Sequence, residues 1–187
     1  MKSILQRLAI LGLLLLAMPL QAITMANVTF PDTWRTGDTT LVRNGVGVRE
    51  YSFLRIKVYA AALYLPVPLH QAQAVLDLHG PRVLQMQFLR AASVLDTRKA
   101  WLLYLQKNCD VGCSWPALSV QKFLAALPET RRHSRQTYVF EADYVEIFDN
   151  DKRLIRLDDP VFSRLLLSTW IGEQPTTEEL KRALLGL

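Results

Sequence analysis

The stretch NGVGVREYSFLRIKVYAAALYLP, residues 44–66, decides the fold of this chain. Gly45 and Gly47 predict a tight turn or a bulge, after which a short strand carries Arg49. From residue 55 onward two sets of side chains alternate with the period of a strand, and Tyr59 lies on the face that also carries two cations. An arginine at the start of so apolar a hairpin predicts a cationic group beside a hydrophobic cavity. We therefore expect a binding site here.

Residues 1–22 have the pattern of an export signal. Lys2 and Arg7 precede an apolar run at 8–16, and Ala22 is a small residue suited to cleavage, with Ala26 as the alternative. The run is too short to span a bilayer comfortably, although a retained membrane anchor is the other interpretation. We predict a signal peptide over 1–22 and a single domain over 23–187. The protein is then periplasmic, with no membrane span after the signal is removed.

Charge and histidine spacing limit the classes of partner. Residues 1–22 hold two positive charges and no negative one, so the formal net charge falls from +5 to +3 on their removal. No stripe of lysine and arginine is interleaved with aromatic residues, so we expect no nucleic acid. His70, His79 and His133 have no cysteine or carboxylate at ligand spacing, and Gly45 and Gly47 lack the third glycine of a dinucleotide fingerprint. We therefore expect neither a metal nor a cofactor.

The two cysteines, Cys109 and Cys113, are separated by three residues. In an oxidising compartment a local disulfide is the favoured interpretation, and two free thiols are the alternative. Closing so small a loop removes little chain entropy, so the bond is expected to shape a turn and to stabilise the fold modestly.

The order of predicted elements indicates an α+β domain. Besides the two strands of the opening stretch, strands are predicted at 27–30, 39–43, 82–88, 137–144, 145–148 and 153–157. Helices are predicted at 71–78, 93–108, 115–127, 159–171 and 176–187. Ser114 is expected to cap the third helix and Thr176 the last, whose Leu187 is expected to pack inward. Because strands and helices come in blocks, we predict a large, mainly antiparallel sheet with helices on one face.

Three motifs taken together resemble the chalcone isomerase-like superfamily. They are Gly-x-Gly-x-Arg ending at Arg49, Lys-x-x-Ala-x-x-Leu-Tyr-Leu over 57–65, and Ser-Thr-x-Ile-Gly-Glu over 168–173. Their order and intervals hold from about residue 28 to the C terminus, and the match is nearest to exported bacterial members. The resemblance implies an open-faced β-sandwich, in which a long antiparallel sheet is backed by helices and a ligand cleft lies between them.

The resemblance also implies roles for individual residues. In the plant enzymes the arginine at the position of Arg49 helps to bind a phenolate, while a strand threonine and a helical tyrosine–asparagine pair order a water. Here the strand threonine is replaced by Tyr59, and Asp96 and Leu103 fall at the places of the pair, so only Arg49 and the threonine Thr169 remain. Without the water-ordering groups much transition-state stabilisation is lost, and chalcone cyclisation is not expected.

Arg49 and Tyr59 instead resemble the pair in the non-catalytic, fatty-acid-binding members of the superfamily. A guanidinium offers a planar fork for a carboxylate, and a tyrosine hydroxyl adds one donor. We predict a non-catalytic binder of a small amphipathic anion, a fatty acid or a similar carboxylate or phenolate, with Thr169 lining the cleft.

Two alternatives stay open from the sequence. The first is an isomerase or lyase acting on an unknown enone or phenol, in which Tyr59 takes over the missing acid–base work. The second is an envelope protein-interaction module without a ligand, in which Arg49 pairs internally with an acidic residue: Glu50, Glu141 or Asp143.

Overall fold

The computed structural model describes residues 22–109 and 113–187, so the predicted signal peptide lies outside the described residues except for Ala22. The strands are β1 Ile23–Met25, β2 Val28–Phe30, β3 Thr33–Thr36, β4 Thr39–Tyr51, β5 Ile56–Leu65, β6 Arg82–Phe88, β7 Arg135–Phe140, β8 Val145–Asp149 and β9 Lys152–Leu157. The helices are α1 Ala72–Leu76, α2 Val94–Asn108, α3 Ala117–Ala126, α4 Pro160–Ile171 and α5 Glu178–Leu184. None of these helices has the length and apolar character needed to cross a membrane.

Strands β3 to β9 form one antiparallel sheet of seven strands, in which neighbours in space are also neighbours in sequence. Strands β1 and β2 form a separate hairpin. Helix α1 lies between β5 and β6, α2 and α3 lie between β6 and β7, and α4 and α5 follow β9. Neighbouring antiparallel strands need no crossover helix, so these helices are free to cover the sheet. The predicted α+β fold with a large antiparallel sheet is confirmed.

The sheet separates two apolar cores of unequal size, and β5 contributes to both. Its residues Tyr59, Ala61, Leu63 and Leu65 face the larger core together with the helices, whereas the alternate residues pack with the β1–β2 hairpin. Helix α4 is the most deeply buried helix and brings Trp170 into the larger core. Because side chains alternate along a strand, one apolar strand can serve two layers at once.

Strand β4 corrects the prediction of two strands divided by a turn at Gly45 and Gly47. The strand runs unbroken, and its register with β5 shifts between Arg43 and Gly45, so the bulge interpretation holds and the turn is wrong. The glycines are required by α5, since a Cβ at Gly45 would collide with the carbonyl oxygen of Ala183 and one at Gly47 would lie 2.8 Å from the Ala183 Cβ. Close approach of a helix, which is remote in sequence, explains both positions.

Other boundaries differ by a few residues. The predicted strand at 137–144 ends at Phe140, because residues 141–144 form the turn into β8. Helix α3 begins after Pro116 without a side-chain cap from Ser114, and α5 is capped by Thr177, whose hydroxyl accepts from the Leu180 amide. Leu187 is 63% exposed and does not pack inward. Strands β1 and β3 were not predicted.

The predicted disulfide between Cys109 and Cys113 is confirmed, with the two Cα atoms 5.2 Å apart. It follows the end of α2 directly and closes a loop whose residues 110–112 lie outside the described part of the chain.

Candidate ligand-binding site

A cavity of about 510 Å³ lies between the sheet and α2. Strands β4, β5 and β6 form one wall, and α2 forms the other. Most of the surface is apolar, with contributions from Val58, Met86, Phe88, Ala100 and Trp101. The volume falls within the range of about 300–1,000 Å³ that is usual for small-molecule sites.

Arg49 supplies the positive charge of the cavity. It lies on β4 directly opposite Tyr59 on β5, and the register of the two strands shifts immediately after it. Its guanidinium carbon is 6.0 Å from the ring centroid of Tyr51, 5.9 Å from that of Tyr59 and 5.6 Å from that of Tyr104. Three aromatic rings therefore surround one half-buried cation, and each ring face attracts it.

The hydrogen bonds of Arg49 leave part of its fork uncommitted. Nη2 donates to the Tyr104 hydroxyl at 3.3 Å, and that hydroxyl in turn donates to the Thr176 carbonyl at 3.5 Å. Within the described residues the buried Nε of Arg49 has no hydrogen-bond partner, which costs free energy. Nη1 makes no hydrogen bond within these residues either but is not buried in this way, so it is open to an acceptor in the cavity.

No ion pair formed within the described residues includes Arg49. Of the acidic candidates, Glu50 instead binds Arg55 at 2.6 Å, and Asp143 is exposed in the β7–β8 turn. Glu141 lies beside Arg82, whose Nη2 donates to the Glu141 carbonyl oxygen at 3.2 Å. The described residues thus do not provide the internal partner that the interaction-module alternative requires. They also hold no cluster of three His, Cys, Asp or Glu side chains arranged to bind a metal.

Tyr59 lies next to Arg49 and is 7% exposed. Its hydroxyl oxygen accepts a hydrogen bond from Nε1 of Trp170 at 3.1 Å. Burial raises the pKa of Tyr59, and the opposing effect of Arg49 is smaller, so the phenol stays protonated near neutral pH. The nearby Thr176 hydroxyl lowers the pKa of Tyr59 to a lesser extent, although its Oγ1 makes no hydrogen bond of good geometry with another described residue. Among the described residues, the Tyr59 hydroxyl accepts from Trp170 and donates to no acceptor.

Tyr104 is a site residue that the sequence motifs did not reveal. It lies on the same face of α2 as Thr97, Ala100 and Trp101, which all line the cavity. Leu103, which takes the place of one member of the tyrosine–asparagine pair, is 48% exposed. Asp96, which takes the place of the other, lies at the rim, where it accepts a hydrogen bond from the Ser93 hydroxyl at 2.7 Å. The helical spacing of residues 97, 101 and 104 was the signal that could have found it.

Thr169 is not brought to the cavity. It is completely buried in α4, and its hydroxyl donates to the Leu166 carbonyl of the same helix at 2.8 Å. Its carbonyl accepts from the backbone amide of Thr176 at 2.8 Å, and Thr176 is the threonine that lines the cavity. Asn108 also holds this segment, since its Nδ2 donates to the Gln174 carbonyl at 2.8 Å. Thr169 thus supports the wall of the cavity from behind.

The sequence profile of the chalcone isomerase-like family matches residues 22–186, nearly all of the described chain. The chain belongs to this family, as its motifs indicated.

Among solved structures, the fold is similar to that of a fatty-acid binding protein from Arabidopsis thaliana. The TM-score is 0.73 at 16% sequence identity, and the alignment covers 88% of this chain and 96% of that chain. At this identity the likeness is one of fold, and it confirms the predicted architecture. No curated protein sequence matches the chain.

Proposed function

We propose that this protein binds a small amphipathic anion, a fatty acid or a similar carboxylate or phenolate, in the cavity beside Arg49 without transforming it. The observation that carries the proposal is the setting of Arg49. It is a half-buried guanidinium among three tyrosine rings, with a buried Nε that has no partner and with no acidic residue paired to it in the described chain.

The polar end of the cavity suits a planar anion. The uncommitted edge of the Arg49 guanidinium can bind a carboxylate through charge-assisted hydrogen bonds, which are about twice as strong as neutral ones. The Tyr59 hydroxyl adds a donor because its oxygen already accepts from Trp170. An anion placed here would compensate the half-buried cation, since a cation withdrawn from water is costly when it has no counter-charge.

The rest of the cavity suits a hydrocarbon chain. Burial of ten methylene groups would contribute on the order of 8 kcal/mol at about 0.8 kcal/mol each. Association costs of about 4 kcal/mol or more reduce this figure, so the anionic head group is needed for useful affinity. The Arabidopsis thaliana protein of similar fold is described as a fatty-acid binding protein, which supports the same class of ligand here.

Binding is favoured over the isomerase or lyase alternative by the state of Tyr59. A general acid or base works best when its pKa lies near the working pH. Burial moves the pKa of Tyr59 upward, away from neutrality, so this phenol keeps its proton for hydrogen bonding and is not available as a base near neutral pH.

We also propose that the protein works in the periplasm after loss of residues 1–22. The basic start, the short apolar run and the small residue at Ala22 support this location. Mass measurement of the protein recovered from the periplasm of its host should give a chain that begins at Ile23, and a mass that retains residues 1–22 would contradict the processing step.

The test of ligand binding is a calorimetric titration of the processed protein with dodecanoate and hexadecanoate. We expect Arg49→Gln to weaken binding by about 10-fold to 100-fold, because a hydrogen bond to a charged group contributes about 1.5–3 kcal/mol. The matched control is Arg35→Gln, which removes one positive charge from an exposed position on β3 outside the cavity. This control should bind as the wild type does.

Equal affinity of Arg49→Gln and the wild type for both acids would refute the proposed site. The enzyme alternative has its own readout, which is turnover of phenolic enones. Turnover by the wild type that disappears in Tyr59→Phe would show a catalyst and would overturn the non-catalytic assignment.

A further inference from the structure

The turn between β4 and β5, here called the β4–β5 tip and comprising residues 51–54, exposes three large apolar side chains. Tyr51 is 60% exposed, Phe53 90% and Leu54 64%. The tip has a defined shape, because the Leu54 amide donates to the Ser52 hydroxyl at 3.3 Å and the Arg55 amide donates to the Ser52 carbonyl at 3.0 Å. Exposed apolar residues grouped at one point mark an interaction site more often than scattered ones do.

The β4–β5 tip is continuous with the mouth of the cavity. Tyr51 belongs to both, since it lines the cavity and also begins the tip. Arg49 precedes it by two residues on the same strand, with its guanidinium carbon 6.0 Å from the Tyr51 ring centroid. A surface that receives the tip would therefore lie beside the opening through which a ligand reaches Arg49.

The charges around the tip and the cavity rim leave a positive excess. Lys57 and Arg90 are exposed, and neither takes part in an ion pair formed within the described residues. Three acidic residues lie in the same region: Glu50, which pairs with Arg55 at 2.6 Å, Asp96 on the cavity rim, and Glu179, whose charge acts on Arg55. Arg49, Arg55, Lys57 and Arg90 outnumber them by one, so this end of the molecule keeps a small positive excess that is complementary to an anionic surface.

We propose that the β4–β5 tip docks on an anionic lipid surface, with Phe53 and Leu54 entering the interface and Lys57 and Arg90 facing the head groups. This inference rests on the proposed function, because docking would bring the cavity mouth to the membrane from which an amphipathic anion is collected. Apolar burial combined with basic residues is the pairing that gives reversible binding to anionic membranes. A tip of four residues is small for a stable protein interface, which buries about 800 Å² on each partner.

The test is co-sedimentation of the processed protein with vesicles of phosphatidylcholine and phosphatidylglycerol in a 7:3 ratio. The processed form is required because the apolar run at 8–16 would itself partition into lipid. We expect the wild type to bind, and the double variant Phe53→Ser with Leu54→Ser to bind at least about 10-fold more weakly, since apolar burial drives interfacial binding. Binding of the wild type should also fall as salt is raised.

The matched control is the double variant Val67→Ser with Leu118→Ser. These residues are 55% and 63% exposed and lie outside the cavity lining, so vesicle binding should be unchanged. Circular dichroism of both double variants checks that the fold is retained. Equal vesicle binding by the tip variant and the wild type, or wild-type binding to a purified protein partner with none to vesicles, would overturn the proposal.

A second readout separates this inference from the proposed function. Transfer of a fluorescent hexadecanoate from the vesicles to the protein should be slower in the tip variant, while its affinity for free hexadecanoate equals that of the wild type. Vesicle binding that depends on Phe53 and Leu54, found in a protein with no affinity for either fatty acid, would support docking and refute the proposed ligand. Fatty-acid binding without vesicle binding would support the proposed ligand and refute docking.

Discussion

Two tyrosines buried in the sheet, Tyr64 and Tyr138, differ in whether the hydroxyl has a partner. Tyr138 donates to Oε1 of Gln136 at 2.7 Å, whereas the buried Tyr64 hydroxyl has no hydrogen-bond partner among the residues that the structure describes. Burial raises the pKa of Tyr64 to about 12, partly offset by Arg43. The same residue type therefore makes opposite contributions at two positions of one sheet.

We predict that Tyr64→Phe leaves the free energy of unfolding at pH 7 unchanged or raises it by up to about 1 kcal/mol, because it removes a polar group that has lost its water. Tyr138→Phe should lower it by about 1–2 kcal/mol, since Oε1 of Gln136 is then left without a donor. Urea unfolding of both variants at pH 7 measures the difference. A larger loss for Tyr64→Phe than for Tyr138→Phe would mean that the Tyr64 hydroxyl has a partner in solution.

Strand β4 and helix α5 are fitted to each other where the strand carries glycine. A Cβ on Gly45 would lie 2.6 Å from the carbonyl oxygen of Leu184, inside the contact distance of the two atoms. The side chain of Asn44 donates to that same carbonyl at 2.9 Å, so the strand also holds the end of the helix. The pairing of these elements accounts for the glycines more directly than a turn does.

We expect Gly45→Ala to destabilise the protein by about 1–3 kcal/mol or more, because overpacking forces α5 away from the strand. Gly80→Ala is the control, since its added Cβ would meet Pro66 at an ordinary 3.7 Å. The control should leave stability unchanged or raise it slightly. The measurement is the thermal unfolding midpoint of each variant. Equal midpoints would show that contact with α5 does not require glycine at position 45.

Three buried tyrosines make the stability of the whole molecule sensitive to alkali. Burial raises the pKa of Tyr59, Tyr64 and Tyr138 above the ordinary value of 10. Below pH 10 these phenols are protonated in both the folded and the unfolded state, so their contribution to stability is fully present. Above pH 10 the unfolded chain releases protons that the folded chain retains, and stability falls as pH rises.

We predict that the free energy of unfolding is flat with respect to these residues up to about pH 9.5 and then falls. Each buried tyrosine contributes a slope of up to about 1.4 kcal/mol per pH unit. Urea titrations at several pH values up to 11.5, with tyrosinate absorbance as the proton count, provide the measurement. Tyr64→Phe should lower the number of protons released on unfolding by up to about one and reduce the slope of the free energy against pH accordingly. A slope that does not change would exclude Tyr64 as a contributor.

Features that depend on neighbouring residues could be predicted from the sequence. The alternation over 57–65 indicated the long strand, and the Asp159 side chain caps α4 by accepting from the Phe162 amide at 2.9 Å, as its place before Pro160 implied. The turn at Asn150 and Asp151 takes positive φ angles of 46° and 69°, which these residue types tolerate. Cap, turn and strand period act over a few residues, so the sequence carries them directly.

The arrangement around Arg49 required the tertiary structure. Tyr104, which accepts from Arg49, is 55 residues away in sequence, and Trp170, which donates to Tyr59, is 111 residues from its partner. Thr176, and not Thr169, lines the cavity because it lies in the segment that connects α4 to α5. The family resemblance named Arg49 and Tyr59, and the register of β4 with β5 places them opposite each other in one hairpin. The groups that contact Arg49 and Tyr59 come from helices distant in sequence. Packing against the sheet decides where these helices lie, and no local sequence pattern encodes it.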